Sequence, residues 1–317
     1  MDGQRKKHNI RKKNYVSGVA VIILMNIAAW LSVDFCDWYI AYVYPVWLNT
    51  YARLTSLVPF SVGEIMLFLA TLLTALGIML CVWNVIVFGK YKRVLVQYGR
   101  IYAWIVLIVS YVMTCNCFIM YHASSFSEKY MCSNEIGSMV VGVKTSAVTE
   151  VMTEKKPIYT KKNIVILRNY LVEKCNTLAL QIERDEKGNA IYCGDLMTES
   201  IKAMEHLGEK YEQLSGFYVT PKYLAASGFF SQQHIQGYYF PFSMEANYNT
   251  IMQVGSRPFT LCHELAHTHG YIYEDEANYL GFLACIKSGD PFLVYSGYLG
   301  VLNYVDNAFY RSVSREE

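Results

Sequence analysis

The chain has 317 residues, of which 53% are hydrophobic and only 17% are charged. Charged residues usually make up about a quarter of a soluble domain, so the composition argues against an ordinary soluble enzyme. The net charge is only +2, and no basic stripe runs through the C-terminal part of the chain. Both features argue against nucleic-acid binding.

Three stretches near the N-terminus are long and apolar enough to cross a bilayer, which takes about 20 mostly apolar residues per helix. They cover residues 15–33, 64–88 and 101–121, and the third contains no charged residue. We therefore predict a membrane domain over residues 15–121 with three transmembrane helices, so that the lipid bilayer is one partner of the protein.

Basic residues predict the orientation of these helices. The tail at residues 1–14 contains the run RKKHNIRKKN, and four lysines and arginines lie between residues 90 and 100. Because cytoplasmic loops are enriched in lysine and arginine, both basic segments are expected in the cytoplasm. Residues 34–63 and residues 122–317 would then lie outside it.

The outer loop at residues 34–63 is rich in tryptophan and tyrosine. These side chains favour the headgroup level of a membrane, and Pro45 and Pro59 interrupt the loop too early for a further span. We expect interfacial helices on the outer membrane face. A partly re-entrant hairpin is the alternative.

Residues 122–317 are enough for one compact domain. After a polar connector at residues 139–163, helical periodicity is found in residues 163–189 and again in 195–216. Aromatic and β-branched runs in residues 228–254 predict two short strands and a turn. The expected fold class is α+β, mostly α.

Two more helices are predicted around a histidine-rich segment. Ser256 is a candidate N-cap for the first, and Gly270 is placed to end it. The second helix ends at Gly289, and Pro291 begins a third that continues to about Tyr310.

The first of these helices carries the run His-Glu-Leu-Ala-His at residues 263–267. His263 and His267 are four residues apart, so they share a helix face and can bind one tetrahedral zinc ion. Glu264 lies beside that face and can contact water at an open position of the metal. The pattern predicts Zn²⁺ as the cofactor, with two ligands and a general base.

A catalytic zinc site also needs a third protein ligand. Glu274 and Glu276 follow in the next helix, where they point to different faces. We prefer Glu274, because Asn278 then lies one turn further on and can orient a zinc-bound imidazole from the second shell. Glu276 is the alternative.

This pair of helices resembles the gluzincin metallopeptidases, whose second helix reads Glu-x-x-x-Asp; here Asn278 takes the place of the aspartate. Nearly the whole chain also resembles an uncharacterised bacterial family of multi-pass membrane proteins, classed as a domain of unknown function. The segments that carry this resemblance are GYYFPFSMEANYN, FTLCHELAHTHG, EDEANYLGF and YSGYLGVL. It implies a zincin-like outer domain in the bacterial cell membrane, with a cytoplasmic N-terminus.

The expected function is that of a membrane-anchored zinc metallopeptidase that hydrolyses a peptide or protein substrate outside the cytoplasm. Glu264 would take a proton from zinc-activated water and pass it to the leaving amine. A further donor must stabilise the oxyanion. The candidates are His269, Tyr271, Tyr273, Tyr295 and Tyr298.

The substrate would bind as an added strand through main-chain hydrogen bonds. The predicted strand at Tyr238, Tyr239 and Phe240 stands directly before the histidine helix and is the candidate partner. The alternative function is a non-hydrolytic zinc-containing membrane sensor or scaffold that binds peptides or cell-wall components. Glu264 favours hydrolysis, because a structural zinc site needs no base and usually has four protein ligands.

Overall fold

The computed structural model describes residues 2–131 and 160–313, so most of the predicted connector at residues 139–163 lies outside the described residues. The described chain is mostly helical with one small sheet, which confirms the predicted predominance of helix. The α-helices are α1 (Asp2–Leu31), α2 (Val33–Trp38), α3 (Tyr44–Trp47), α4 (Arg53–Ser56), α5 (Val62–Ile86), α6 (Lys92–Met113), α7 (Phe126–Tyr130), α8 (Lys161–Ala179), α9 (Leu196–Gly208), α10 (Ser227–Gln232), α11 (Arg257–Thr268), α12 (Glu274–Lys287) and α13 (Pro291–Val313).

Short irregular helices and three strands complete the described structure. The π-helices are Tyr39–Val43, Leu48–Ala52 and Thr114–Phe118, and the 3₁₀-helices are Met120–His122, Glu212–Leu214 and Val254–Ser256. The strands are β1 (Lys222–Tyr223), β2 (Gly237–Phe240) and β3 (Glu245–Tyr248).

Three helical segments are long and apolar enough to cross a membrane, and they coincide with the three predicted spans. They are Lys13–Leu31, Val62–Ile86 and Lys92–His122. Large apolar side chains on them are exposed in the isolated chain; Phe68, for example, is 69% exposed. Water does not favour so much exposed apolar surface, so the three helices suggest a membrane protein.

The aromatic segment from Val33 to Ser56 is helical, as predicted, and one of its faces packs on the C-terminal part of the chain. The Tyr44 hydroxyl donates a hydrogen bond to the Thr268 carbonyl at 2.7 Å, and the Tyr51 hydroxyl donates to the Phe242 carbonyl at 2.7 Å. The aromatic content therefore serves packing on that face. The other face exposes Trp38, Tyr42 and Val46.

The third apolar helix also ends inside the C-terminal part of the protein. Beyond Met113 it continues as a π-helix, and Cys115, Cys117 and Ile119 are buried in the core that contains α11 and α12. A single core therefore extends across residue 121.

The sheet has the order β1-β3-β2, so β2 lies at an edge within the described part of the chain. β2 runs antiparallel to β3, and β1 runs parallel to it. The two strands expected in residues 228–254 are thus present, with Pro241 in the turn after β2. Residues 227–232 form a short helix that the pattern did not predict, because the run of phenylalanine and serine there carries no helical periodicity.

Two helices end earlier than their periodicity predicted. α8 ends at Ala179 and not near residue 189. Further along, the Asp185 carboxylate holds a turn by accepting hydrogen bonds from the Lys187 and Asn189 backbone, so these residues are not helical. α9 begins after Asp195, the predicted cap, but ends at Gly208. There the chain folds back so closely that an added Cβ would lie 2.6 Å from the Leu214 carbonyl oxygen.

A buried carboxylate joins the sheet to the second apolar helix. Glu245 on β3 accepts hydrogen bonds from the backbone amides of Val62 at 3.2 Å and Gly63 at 2.7 Å, in the first turn of α5. Lys222 on β1 forms an ion pair with the same carboxylate and donates to the Thr55 carbonyl at 2.6 Å. Since carboxylates are favourable at helix N-termini, this pair fixes the sheet on the end of α5.

We expect Glu245→Ala to destabilise the protein strongly, because it leaves the Lys222 ammonium buried without its partner. Such losses cost about 3–5 kcal/mol. The measurement is unfolding of the detergent-solubilised protein, followed by intrinsic fluorescence. Glu64→Ala is the matched control, since Glu64 accepts only exposed hydrogen bonds, from Ala225 and Ala226. Equal stability of the two variants would contradict this role for Glu245.

Candidate metal centre

Two glycines allow the histidine helix and the following helix to meet. Gly270 has φ +89° and turns the chain directly after α11. α12 then packs so closely on α11 that a Cβ at Gly281 would lie 3.1 Å from the His263 backbone nitrogen and 3.2 Å from the Phe259 carbonyl oxygen. This close antiparallel return brings Glu274, the first residue of α12, opposite the histidines.

The side chains of His263, His267 and Glu274 form a three-donor cluster. The two Nε2 atoms are 3.0 Å apart. Glu274 Oε2 lies 3.2 Å from His263 Nε2, and Glu274 Oε1 lies 3.8 Å from His267 Nε2. One donor atom from each residue falls within 4.8 Å of the others, so the group could hold a metal ion.

A backbone hydrogen bond fixes the tautomer of His267. Its Nδ1 lies 2.7 Å from the Tyr271 carbonyl oxygen. A carbonyl oxygen can only accept, so Nδ1 carries the proton and the lone pair of Nε2 points into the cluster. Metal-bound histidines are oriented in this way by a hydrogen bond to their other nitrogen.

The cluster fits zinc in both chemistry and spacing. Two imidazole nitrogens and a carboxylate are ligands that zinc accepts, at about 2.0–2.2 Å. Donors on a tetrahedral ion with such bonds lie about 3.3 Å from one another, and the distances observed here are 3.0, 3.2 and 3.8 Å. His263, His267 and Glu274 are therefore the residues that would hold the ion.

Glu264 is enclosed beside this cluster. Its side chain is buried, its Oε1 lies 4.0 Å from His263 Nε2, and its Oε2 has no hydrogen-bond partner among the described residues. Gly237 on β2 makes room for it, because a Cβ there would overlap the carboxylate. A buried carboxylate oxygen without a partner is costly, and either a proton or a nearby cation would reduce that cost.

The charges in the cluster shift the pKa values of its members. Burial raises the pKa of Glu264 to about 8; the His263 charge opposes this shift and Glu274 adds to it. Burial alone would lower the pKa of His263, but its hydrogen bond to Glu274 and the charge of Glu264 raise it. Burial lowers the pKa of His267, and His263 adds to that shift. A bound divalent cation would favour ionised Glu264 and neutral imidazoles.

The structure distinguishes between the two candidate third ligands. Glu274 lies at the histidines, whereas the Glu276 carboxylate accepts a hydrogen bond from the Phe126 backbone amide, on a different face of α12. The pKa of Glu276 is raised, mainly by burial. Asn278 does lie one turn beyond Glu274 and lines the same cleft, where it stands beside His263.

The cluster opens into a cleft of about 680 Å³. Its walls come from the end of the third apolar helix, from β2 and from helices α11, α12 and α13. Besides the cluster and Glu264, its polar lining residues are Tyr121, His234, Gln236, Tyr238, Tyr239, Ser256, Thr260, Asn278, Asn303, Tyr304 and Asn307.

None of the oxyanion donors proposed from the sequence lines this cleft. His269 is buried and stacks on Tyr218 with a ring separation of 3.9 Å. Tyr298 contacts Tyr170 at the α8–α13 packing, and Tyr273 donates to the Tyr121 carbonyl. Two further tyrosines also lie outside the cleft lining, Tyr271 and Tyr295. These side chains pack in the core or lie at helix ends.

Tyr304 is the cleft tyrosine that sequence reasoning missed. Its hydroxyl donates to Asn278 Oδ1 at 3.0 Å. Its pKa is raised, first by partial burial and then by the charges of Glu274 and Glu264, so it keeps its proton. One signal could have found it: Asn303, Tyr304 and Asn307 form a polar stripe, at helical spacing, on a mostly apolar helix.

The predicted substrate strand lies beside the cluster. Tyr238 and Tyr239 line the cleft, and the Tyr239 ring stacks on His267 at 6.0 Å. Phe240 does not line it, since its side chain is fully buried against Gly63. Gly237, Tyr238 and Tyr239 are therefore the part of β2 that lines the cleft.

We expect one zinc ion per purified chain, because three donors converge on one point. His263→Ala should remove it, and Glu274→Gln should weaken binding by at least about tenfold, as expected when a liganding group is lost. Glu276→Gln is the matched control and should retain full stoichiometry. Elemental analysis after dialysis measures this. Loss of zinc with Glu276→Gln and not with Glu274→Gln would contradict the assignment.

Comparison with known proteins gives a family without an assigned activity. No curated protein and no solved structure matches the chain significantly. One family model matches residues 39–317, which include α3 to α13 and every residue of the three-donor cluster. The chain belongs to the family described as protein of unknown function (DUF3810).

Proposed function

We propose that the protein is a membrane-anchored zinc-dependent peptidase with a zincin-like domain outside the cytoplasm. The observation that carries the proposal is the placement of Glu264. A structural zinc site has no use for a buried carboxylate beside its ligands, and it usually has four protein ligands. Here three donors converge, and a second carboxylate, that of Glu264, lies 4.0 Å from one of them with an oxygen free to accept a proton.

The residues of the cleft supply the remaining parts of peptide hydrolysis. When bound, zinc supplies a Lewis acid that activates water. Glu264 accepts the proton of the attacking water and delivers it to the leaving amine, which is general acid–base chemistry for a carboxyl group of raised pKa. Burial of Glu264 excludes bulk water from this transfer.

Tyr304 is the residue we assign to the oxyanion. It is held by Asn278 at the cleft wall formed by α12 and α13, and its hydroxyl is protonated. A neutral donor aimed at the developing negative charge lowers the barrier, and one such donor is worth about 10²–10³ in kcat. The tyrosines placed in this role from the sequence lie elsewhere.

β2 supports the binding of an extended peptide. It is an edge strand, and Gly237 adjoins Glu264. A peptide added to this edge would use main-chain hydrogen bonds and would pass directly over the three-donor cluster. The polar amides of Gln236, Asn303 and Asn307 line the same cleft.

The site belongs outside the cytoplasm in this proposal. Lysines and arginines follow α5 between residues 90 and 100, at the end of the helix hairpin away from the cleft. By the positive-inside rule that end is cytoplasmic. The cleft is formed at the opposite end of the same hairpin.

We expect Glu264→Gln to abolish peptide cleavage while zinc remains bound. Tyr304→Phe should lower kcat about 100-fold with little change in KM, as expected for loss of one oxyanion donor. Tyr298→Phe is the matched control and should behave as wild type. The assay uses the detergent-solubilised protein and a random peptide library, with products read by mass spectrometry. Zinc-loaded wild type that cuts nothing would favour the alternative, a non-hydrolytic sensor or scaffold.

A further inference from the structure

We infer that the substrate is the membrane-proximal segment of a membrane-anchored polypeptide. The inference rests on the proposed peptidase function and adds the substrate class. It is based on two walls of the cleft. One wall is the end of an apolar helix, and the other packs on the end of a second apolar helix.

The first of these walls is the third apolar helix itself. Met113, Cys117 and Tyr121 lie one turn apart on one face of the segment Lys92–His122, and all three line the cleft together with the metal cluster. By helical rise, Met113 and Tyr121 are roughly 12 Å apart. The cleft that contains the cluster therefore extends along about two helical turns of this segment, beginning at Met113, where α6 ends.

The second wall, β2, sits on the end of another span. Phe240 packs so closely on Gly63, the second residue of the span Val62–Ile86, that no Cβ could fit there. The strand is also tied to the third helix, because Asn116 donates from Nδ2 to the Pro241 carbonyl at 3.2 Å. The strand that would bind the substrate is thus fixed at the level where both spans end.

The rim of the cleft has the composition of a membrane interface. Tyr121 is 40% exposed and Tyr238 is 42% exposed, and Phe118 and Tyr273 are exposed nearby. Amphipathic aromatic side chains favour the headgroup level. An extended polypeptide advances about 3.3 Å per residue, so about four residues span the stretch of the cleft from Met113 to Tyr121.

The charged residues of the cleft favour binding of a polypeptide and not of a phosphate-containing lipid headgroup. Among the described residues that line it, none is lysine or arginine, and the charged ones are Glu264 and Glu274. Recognition of phosphate uses arginine, lysine or helix N-termini. Amide side chains and an edge strand instead match an uncharged peptide backbone.

The test is cleavage-site mapping in a natural mixture of substrates. Full-length protein is reconstituted with bacterial membranes, and new N-termini are labelled and identified by mass spectrometry, for wild type and Glu264→Gln. A soluble protease of broad specificity, added to the same membranes, gives the distribution of accessible sites. We expect the Glu264-dependent cuts to lie within about ten residues of a predicted span, whereas the soluble protease cuts throughout the exposed domains.

A second measurement varies the distance alone. The best-cut sequence is placed about 6, 15 or 40 residues from a single span, and the same sequence is also tested as a free peptide. Tethering near the membrane raises the local concentration, so we expect cleavage of the nearest probe to be at least about tenfold faster than that of the farthest probe or the free peptide.

The outcomes separate the two levels of the proposal. Glu264-dependent cuts that follow the distribution of the soluble protease, or equal rates for all probes, would overturn the inference and leave the peptidase function standing. Absence of any Glu264-dependent cut would overturn both. Cuts that cluster next to spans, with rates that fall as the tether lengthens, would support both.

Discussion

The structure depends on one point where three buried polar side chains meet the exposed carboxylate of Glu274. His263, Glu264, His267 and Glu274 meet where two helices and an edge strand come together, and the first three are buried. Burying such groups without compensation costs several kcal/mol. In the metal-free chain a proton shared between His263 and Glu274 would offset part of this unfavourable free energy. A divalent cation would offset more of this free energy and would leave Glu264 ionised as a base.

The membrane helices hold this arrangement in place. Glu245 caps α5 from β3, and Asn116 at the end of the third apolar helix binds the turn after β2. Tyr44 reaches from the aromatic segment to the carbonyl of Thr268 at the end of α11. Each connection joins a site element to an apolar helix or to the segment between two of them. The site and the anchor therefore form one folded unit with a continuous core, and not a soluble domain on a flexible tether.

Sequence patterns predicted the parts of this structure that arise from local periodicity. The three apolar helices, the histidine helix with its Gly270 stop and the Asp195 cap are all present. The preference for Glu274 over Glu276 also agrees with the cluster in the structure, since helix geometry alone sends the two carboxylates to different faces.

Features set by distant parts of the chain could not be predicted in this way. Tyr304 enters the cleft because α13 packs on α11 and α12, and the polar stripe of Asn303, Tyr304 and Asn307 does not by itself show which of the 27 tyrosines reaches the metal cluster. His269 looked like a possible donor beside the metal helix but is turned into the core against Tyr218. From its composition, the aromatic loop was predicted to lie on the membrane. The burial of one of its faces depends on contacts with residues about 190 to 220 positions away in the sequence, which composition does not reveal.

The central claim is that the cluster is an open zinc site with Glu264 beside it. X-ray absorption at the zinc edge of the full-length protein tests this most directly. We predict a zinc coordination shell with two imidazole nitrogens, from His263 and His267, and with only oxygen ligands in its other positions. Cys262 adjoins the site in sequence, but its thiol points to the Ser200 carbonyl at 3.8 Å. A sulfur ligand, or a shell closed by a third imidazole, would contradict the account and indicate a structural zinc site.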